Sequence, residues 1–270
     1  MSTLRKFLHP ILTEGGSVWI LLIPSALLFA VFALPVAALI LRSVNSDFFR
    51  NAFSRQAYDA LSLSLITSTF ATLVAVIFGT PLAYILGRSR LRHGAWLELM
   101  LDLPIVLPPS VAGLALLMAF GRRGLFGPAL AAVGVSLPFT TAAVVMAQIF
   151  VAAPLYVRSA RLGFAQVDTQ LGESAHVEGA SQWQMFHYIM IPLAGRSLAS
   201  GAILTWTRAL GEFGATIMFA GNLEGVTQTM PLAIYLGLER QLGVALALSV
   251  LLIVVSVFLL RVTKQLERHD

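Results

Sequence analysis

Two ionisable side chains fall inside a long apolar stretch of the chain, and they are the first candidates for chemistry. Arg208 and Glu212 interrupt the small and apolar residues between Ala194 and Ala220. Because they are four residues apart, they share one face of a helix. Either they neutralise each other so that the segment can enter a membrane, or Arg208 offers positive potential to a passing anion, since intramembrane charges usually face a pathway or a partner. Thr216 is the third candidate for that pathway.

The chain offers little else from which an active site could be built. It has no cysteine, and its five histidines show no metal-ligand spacing. The two lysines, Lys6 and Lys264, lie near the ends, and the Gly-x-x-x-x-Gly-Lys-Ser/Thr phosphate loop does not occur. An intramembrane enzyme would need clustered acids, bases or nucleophiles. We therefore expect a non-catalytic protein with no catalytic residue, no metal and no cofactor.

The composition indicates which elements must position these residues. Of 270 residues, 57% are apolar and only 11% are charged, and the mean hydropathy is +0.83. Soluble domains devote about a quarter of their residues to charge, so this chain could not cover a water-facing surface. The expected fold is an all-α polytopic membrane protein. The net charge of +5 suggests basic loops on the cytoplasmic side rather than a nucleic-acid partner.

Apolar stretches long enough to cross a bilayer predict six transmembrane helices. Four stretches carry no charge and stand alone: 18–41, 60–87, 103–121 and 241–260. The uncharged stretch 124–157 is too long for one span, and its glycines and prolines predict a short surface or re-entrant piece, followed by a helix from about Phe139. Segment 194–220 completes the set, because as one helix of 27 residues it is long enough to cross. Three prolines, at 104, 108 and 109, are expected to bend the third span.

The distribution of basic residues favours both termini in the cytoplasm. In that orientation eleven Lys and Arg residues lie on the cytoplasmic side, six lie outside, and Arg208 lies within a span. One cytoplasmic loop is much longer than the others. It joins the fourth and fifth spans and runs for about 30 residues, from Arg158 to roughly Tyr188.

Capping residues predict two short helices within this loop. Asp168 can begin the first helix, because its carboxylate can accept from free amides of the first turn. Gly179 is placed to end that helix in a left-handed turn. Ser181 and Gln184 have the spacing of a capping box, which begins the second helix. The loop either docks another protein or lies on the membrane interface as a connector.

The same loop carries a resemblance to a known family. Glu173-Ser174-Ala175, Gly179 and Ile189-Met190-Ile191-Pro192 match the pattern Glu-Ala-Ala, three residues, Gly, nine residues, Ile, one residue, Leu, Pro, with Ser174 and Ile191 as the two departures. The chain resembles the membrane subunits of ATP-binding-cassette importers. In that family this loop is a coupling helix that sits in a groove on the ATPase. The resemblance implies that role for Glu173, Ser174, Ala175, Gly179, Trp183 and Pro192.

A narrower resemblance concerns the transported solute. Four segments, 76–84, 103–113, 211–222 and 227–235, resemble the permeases of molybdate importers. Sulfate and thiosulfate permeases share the Glu-Phe-Gly-Ala core at 212–215, so tungstate or sulfate and thiosulfate are the alternatives. The expected substrate is molybdate, an oxyanion that would pass Arg208.

The resemblance also implies an assembly and a division of the chain. It implies a homodimer in a bacterial plasma membrane, two separate cassette ATPase subunits, an extracytoplasmic molybdate-binding protein and a surround of lipid. Residues 1–56 would hold a tail, the first span and an outer loop; 57–262 would be the shared permease domain, with its coupling loop at about 165–192; and 263–270 would be a cytoplasmic tail. The competing class is a secondary transporter driven by an ion gradient, but such a protein predicts inverted repeats, which the sequence does not show.

Overall fold

The computed structural model describes residues 17–44, 47–88 and 94–266. Within these ranges every regular element is helical, as the composition predicts. In chain order the helices are α1 (Ser17–Ser43), α2 (Phe48–Ala52), α3 (Arg55–Arg88), α4 (Gly94–Val106), α5 (Pro109–Phe120), α6 (Gly127–Ala132), α7 (Thr141–Gln166), α8 (Thr169–Val177), α9 (Gln182–Met185), a π-helical turn (Phe186–Met190), α10 (Ile191–Leu210), α11 (Gly214–Ala220), α12 (Met230–Arg240) and α13 (Leu242–Leu266).

Helix α7 is the centre of the bundle and packs against both α3 and α10. Small residues allow these backbones to approach closely. A Cβ on Gly163 would lie 2.5 Å from the Cβ of Ser197, and a Cβ on Gly79 would lie 2.9 Å from the ring of Tyr156. In lipid, where apolar burial gives little drive for association, such packing and interhelical hydrogen bonds hold helices together.

Polar side chains add hydrogen bonds between the same three helices. The hydroxyl groups of Thr80 and Tyr156 lie 2.6 Å apart and link α3 to α7. Ser159 on α7 donates to the carbonyl of Ser197 on α10 at 2.8 Å. Thr205 donates to the carbonyl of Ala152 at 3.3 Å. The bundle is therefore cross-linked along much of the length of α7.

The number of membrane spans agrees with the expected architecture only approximately. Four described helical segments are long and apolar enough to cross a membrane: Leu21–Ser43, Arg55–Arg88, Thr141–Gln166 and Gln182–Leu210. The bent pair formed by α4 and α5 brings the number to five, and Leu242–Phe258 is a shorter apolar helix. A short separate helix, α6, precedes α7, so the stretch 124–157 is divided as predicted, and α7 begins at Thr141, close to the predicted start at Phe139.

The third predicted span is not one straight helix. The chain turns by 116° between α4 and α5. Residues that precede proline avoid the helical conformation, and Pro108 has the extended ψ of 136° while Pro109 begins α5. The helix also begins earlier than predicted, at Gly94. Consecutive prolines thus break this span rather than only bending it.

The fifth predicted span also differs from expectation. A single helix over 194–220 is wrong, because α10 ends at Leu210 and α11 begins at Gly214. The crossing helix instead begins at Gln182 and runs through the π turn to Leu210. The second short helix of the predicted loop is therefore the first turn of a span. The loop itself is correspondingly shorter, since α7 remains helical to Gln166.

Glycines on α10 provide a matched test of the packing. We expect Gly201→Ala to lower stability by about 1–3 kcal/mol, because the new methyl group would lie 2.8 Å from the Cβ of Ser159, which is held by its hydrogen bond to Ser197. Gly195→Ala makes the same change on the same helix where no atom lies within 4 Å, and should be neutral or slightly stabilising. Thermal unfolding of the detergent-solubilised protein measures both. Equal midpoints for the two variants would contradict the packing described here.

Candidate functional site

The loop between α7 and α10 has the caps that the sequence predicts. The carboxylate of Asp168 accepts from the amide of Gln170 at 2.9 Å, which confirms the start of α8. Gly179 has a φ of +92°, and the amide of Ala180 donates to the carbonyl of Ala175 at 2.9 Å. This is the six-to-one bond that closes a helix through a left-handed glycine. The predicted helix end is confirmed.

The second helix begins with the predicted capping box. The amide of Gln184 donates to the Ser181 hydroxyl at 3.2 Å, and the side chain of Gln184 accepts from the amide of Ser181 at 2.9 Å. Both caps are local, so they hold the Gly179 turn without help from the membrane part of the chain.

Two contacts seat α8 on the bundle. At the end of α3, Arg88 donates to the carbonyl of Val167 at 3.1 Å. Gly172 on α8 is buried, and a Cβ there would lie 3.0 Å from the guanidinium of Arg88 and 3.2 Å from the sulfur of Met185. We call this end of the bundle, where α3 and α7 end and α4 and α10 begin, the loop end.

Aromatic side chains connect the surface of the loop to the interior. Trp183 is 69% exposed, and its ring stacks on His187 and lies 6.0 Å from the ring of Phe186. The ring of Phe186 in turn lies 4.9 Å from Tyr84 on α3 and 6.2 Å from Phe164 on α7. Trp183 is therefore connected to both α3 and α7 through the ring of Phe186.

Pro192 accounts for the π turn that precedes it. A proline lacks the amide proton of a helix, and its ring clashes with the carbonyl four residues earlier. Between Phe186 and Met190 the helix widens, and the amide of Ile191 donates to the carbonyl of Phe186, five residues back. The structure thus brings Ser174, Ala175, Gly179, Trp183 and Pro192 to one end of the bundle. Glu173 belongs to α8, but its side chain lies outside the described part of the chain.

The second candidate region is the ion pair inside the membrane part. Arg208 Nη1 lies 2.6 Å from Glu212 Oε2, and the Arg208 side chain is 34% exposed whereas that of Glu212 is 1% exposed. The other oxygen of Glu212 accepts from the amide of Ala215 at 2.8 Å. The pair does not share one continuous helix, as the spacing suggested. Glu212 instead lies just before α11, accepts from its first turn, and pairs with Arg208 on the preceding helix.

Helix α11 packs closely on the second half of the broken span. A Cβ on Gly113 would lie 2.6 Å from the Cβ of Met218, and a Cβ on Gly214 would lie 2.5 Å from Pro109. The ion pair therefore sits at a joint between α10, α11 and α5. Thr216 on α11 is fully buried, and its hydroxyl has no hydrogen-bond partner among the described residues.

Sequence reasoning missed Gln148, which supports this joint. Its side chain is buried on α7 and donates to the carbonyl of Ala209 at 3.1 Å, just before the ion pair. Its oxygen has no partner within the described ranges. A lone amide within an otherwise apolar span was the signal, because such residues usually bond across helices.

The segment 227–235, which resembles molybdate permeases, has its first polar residues buried. Gln228 donates to Asn222 at 3.0 Å and accepts from Gln56 at 3.1 Å. The Thr227 hydroxyl accepts from the amide of Leu223 at 2.9 Å, and Ser64 accepts from the amide of Met230 at 2.7 Å. These side chains hold the connection between α11 and α12 against α3, which is a structural role. Elsewhere in the described ranges, no three His, Asp or Glu residues are grouped to hold a metal.

These features define a multi-pass helical membrane protein with a capped loop at one end of a closely packed bundle. The chain belongs to the family described as binding-protein-dependent transport system inner membrane component, which matches residues 75–269. This assignment confirms the expected class, a membrane permease subunit of an ATP-binding-cassette importer.

Individual relatives are more specific. The chain is 41% identical to a molybdenum transport system permease protein of Mycobacterium tuberculosis, over 83% of this chain and 85% of the relative. It is 32% identical to a probable sulfate transport system permease protein of Chlorokybus atmophyticus, over 86% and 83% of the two chains. A solved bacterial transporter that imports the acidic polysaccharide alginate matches with a TM-score of 0.75 over 99% of both chains. At 18% identity that likeness shows the fold alone.

Proposed function

We propose that this chain is the permease of a molybdate importer. In this proposal two copies form the pathway, two cassette ATPase subunits dock on the loop ends, and an extracytoplasmic binding protein delivers the anion. The observation that carries the proposal is the relationship to molybdenum permeases at 41% identity over most of the chain, together with a capped loop that exposes Trp183. These 270 residues contain no phosphate loop, and in this proposal a separate protein supplies the ATPase.

The loop has the properties that a coupling element needs. Its ends are fixed by caps, its base is held by Arg88, and its exposed Trp183 is connected to α3 and α7 through Phe186. A partner that binds the loop and moves would therefore also move α3 and α7, to which the loop is connected. In the proposed role Glu173 pairs with a basic residue of the ATPase or with a helix N-terminus. In this proposal the loop end faces the cytoplasm, and both termini lie on the cytoplasmic side.

Arg208 is suited to meet an oxyanion. Among the described residues its ion pair with Glu212 engages one guanidinium nitrogen, and a third of the side chain is exposed. The remaining N–H groups can donate charge-assisted hydrogen bonds to a tetrahedral oxyanion. Glu212 lowers the net charge of the site around Arg208, so an anion would be attracted there without being bound tightly. In this proposal Thr216 supplies its free hydroxyl when α11 separates from α7.

A sulfate permease is the second candidate, because the chain is 32% identical to a probable sulfate permease. The Glu-Phe-Gly-Ala core at 212–215 also resembles that of sulfate permeases. Proteoliposomes that contain this chain, its ATPase and its binding protein should take up molybdate in an ATP-dependent way. Uptake of tungstate should be comparable and uptake of sulfate much slower. Preferred uptake of sulfate would replace the substrate, whereas uptake driven by an ion gradient without ATP would overturn the class of mechanism proposed.

The role of Arg208 can be separated from that of the ion pair. Arg208→Gln alone leaves the buried carboxylate of Glu212 unpaired, which typically lowers the stability of a protein by about 3–5 kcal/mol. Slower transport by this variant could therefore result from poor folding. The double variant Arg208→Gln/Glu212→Gln keeps an oxygen that can accept from Ala215. We expect it to assemble normally and to transport molybdate at least tenfold more slowly, while Arg208→Lys retains most uptake. A fully active double variant would show that Arg208 and Glu212 only neutralise each other, and would exclude a role of Arg208 in the pathway.

Gly179 tests the loop as the coupling element. Its positive φ costs a residue with a Cβ about 1–2 kcal/mol, and β-branching makes that conformation worse. No atom lies within 4 Å of the Cβ position, so the effect of Gly179→Val would come from the backbone alone. We expect the ATPase to be lost on purification, or to hydrolyse ATP without molybdate uptake.

Gly179→Asn is the control, because asparagine tolerates the left-handed conformation. It should retain both docking and uptake, and both variants should insert in the membrane like the unaltered chain. Complex recovery, ATP hydrolysis and molybdate uptake are measured on the same preparation. Normal uptake by Gly179→Val would exclude this loop as the coupling element.

A further inference from the structure

An open apolar crevice lies between α3, α4 and α7. Its volume is about 310 Å³. We call it the α3–α4–α7 crevice, and define it by Val74, Phe78, Leu82, Met100, Pro104 and Ala153. Phe78 is 70% exposed and Met100 is 54% exposed, so other parts of the described chain do not cover it. Its apolar walls would suit a hydrocarbon chain.

A charged cleft continues the crevice towards the loop end. The two share the walls Leu101, Pro154 and Val157. The cleft adds two acidic and two basic side chains, which are Glu98, Asp102, Arg158 and Arg161. An apolar crevice that opens directly into a charged cleft is complementary to an amphipathic ligand, which has an apolar part and a charged part.

The charges in the cleft divide into one ion pair and two side chains for which the described part of the chain supplies no ion-pair partner. Arg161 forms an ion pair with Glu98 and thereby joins α7 to α4. Arg158, which is exposed, and Asp102, which is partly buried, line the same cleft but have no ion-pair partner among the described residues. Within the described ranges, the cleft therefore offers one positive and one negative group that have no ion-pair partner, at the loop end of the bundle.

We propose that this composite site binds one membrane phospholipid with a primary-amine headgroup. An acyl chain fills the α3–α4–α7 crevice, the phosphate accepts from Arg158, and the ammonium group donates to Asp102. Basic clefts between transmembrane helices recognise lipid headgroups in this way. Charge complementarity selects this occupant, because an anionic lipid without an amine would satisfy Arg158 but face the carboxylate of Asp102. This proposal requires that the chain lies in a membrane, but it does not require that the transported solute is molybdate.

The position of the site suggests what the lipid would do. The acyl chain would lie against Pro104, just before the break between α4 and α5, and the headgroup would lie beside the Arg161–Glu98 pair. The bound lipid would contact α3, α4 and α7 together and so stabilise the position of α4 relative to the other two helices. Transport by the assembled complex should therefore be faster with ethanolamine lipids than with choline lipids, whose quaternary ammonium cannot donate a hydrogen bond to Asp102.

A photoreactive lipid tests the site directly. The purified full chain is placed in phosphatidylcholine vesicles that contain phosphatidylethanolamine with a diazirine on one acyl chain, and labelled peptides are mapped by mass spectrometry. We expect labelling concentrated on peptides that carry Phe78, Met100 and Ala153. Arg158→Gln and Ala153→Phe should each reduce it several-fold. Asp102→Asn should remove the preference for the ethanolamine probe over a matching choline probe.

Two controls keep the test decisive. Arg55→Gln makes the same change as Arg158→Gln at an arginine that is 95% exposed at the opposite end of α3, and should leave labelling unchanged. Because the chain has no cysteine, Met100→Cys provides a single thiol in the crevice. Labelling spread evenly over all lipid-facing helices, including α1, would overturn the proposal. So would oxidation of Met100→Cys to a disulfide-linked dimer, since a second copy would then cover the crevice.

Discussion

The close approach of α7 to α3 and α10 is the constraint on which the rest of the structure depends. At three points where these helices touch, a glycine faces a side chain of the neighbouring helix, so that even a methyl group would collide at Gly79, Gly163 or Gly201. Hydrogen bonds from hydroxyl groups on α3, α7 and α10 then fix the helices along their axes. The two candidate regions are both attached to this unit, because the loop joins α7 to α10 and the ion pair lies at the end of α10.

Features that depend on neighbouring residues could be predicted from the sequence. The caps of the loop are examples: Asp168, Gly179 and the Ser181–Gln184 pair each satisfy backbone groups within a few residues. Hydrophobic length likewise predicted most of the spans, because the bilayer imposes the same length on any helix that crosses it. The family resemblance rested on this loop, where spacing along the chain corresponds directly to structure.

The breaks in the spans could not be predicted, because they depend on contacts between distant segments. Glu212 accepts from the first turn of α11, Arg208 balances its charge, and α5 packs against α11 through Gly113. The segment 227–235 is recognised only by its resemblance to molybdate permeases, and nothing in its sequence indicates that Gln228 is buried against Asn222 and Gln56. In a membrane, backbone and side-chain polar groups must find partners within the protein, and the sequence does not say which ones.

The π turn before Pro192 has a consequence for how the loop and the span face their surroundings. One additional residue in a helix rotates everything on one side of it by about 100° relative to the other. The surface that carries Trp183 is therefore set at a different angle around the axis from the surface of α10 that packs on α7. The π turn thus fixes the offset between the two surfaces at about 100° from that of an uninterrupted helix. In the proposed coupling role, one helix would direct its aromatic face towards a partner at its tip while its small-residue face packs on the bundle along its length.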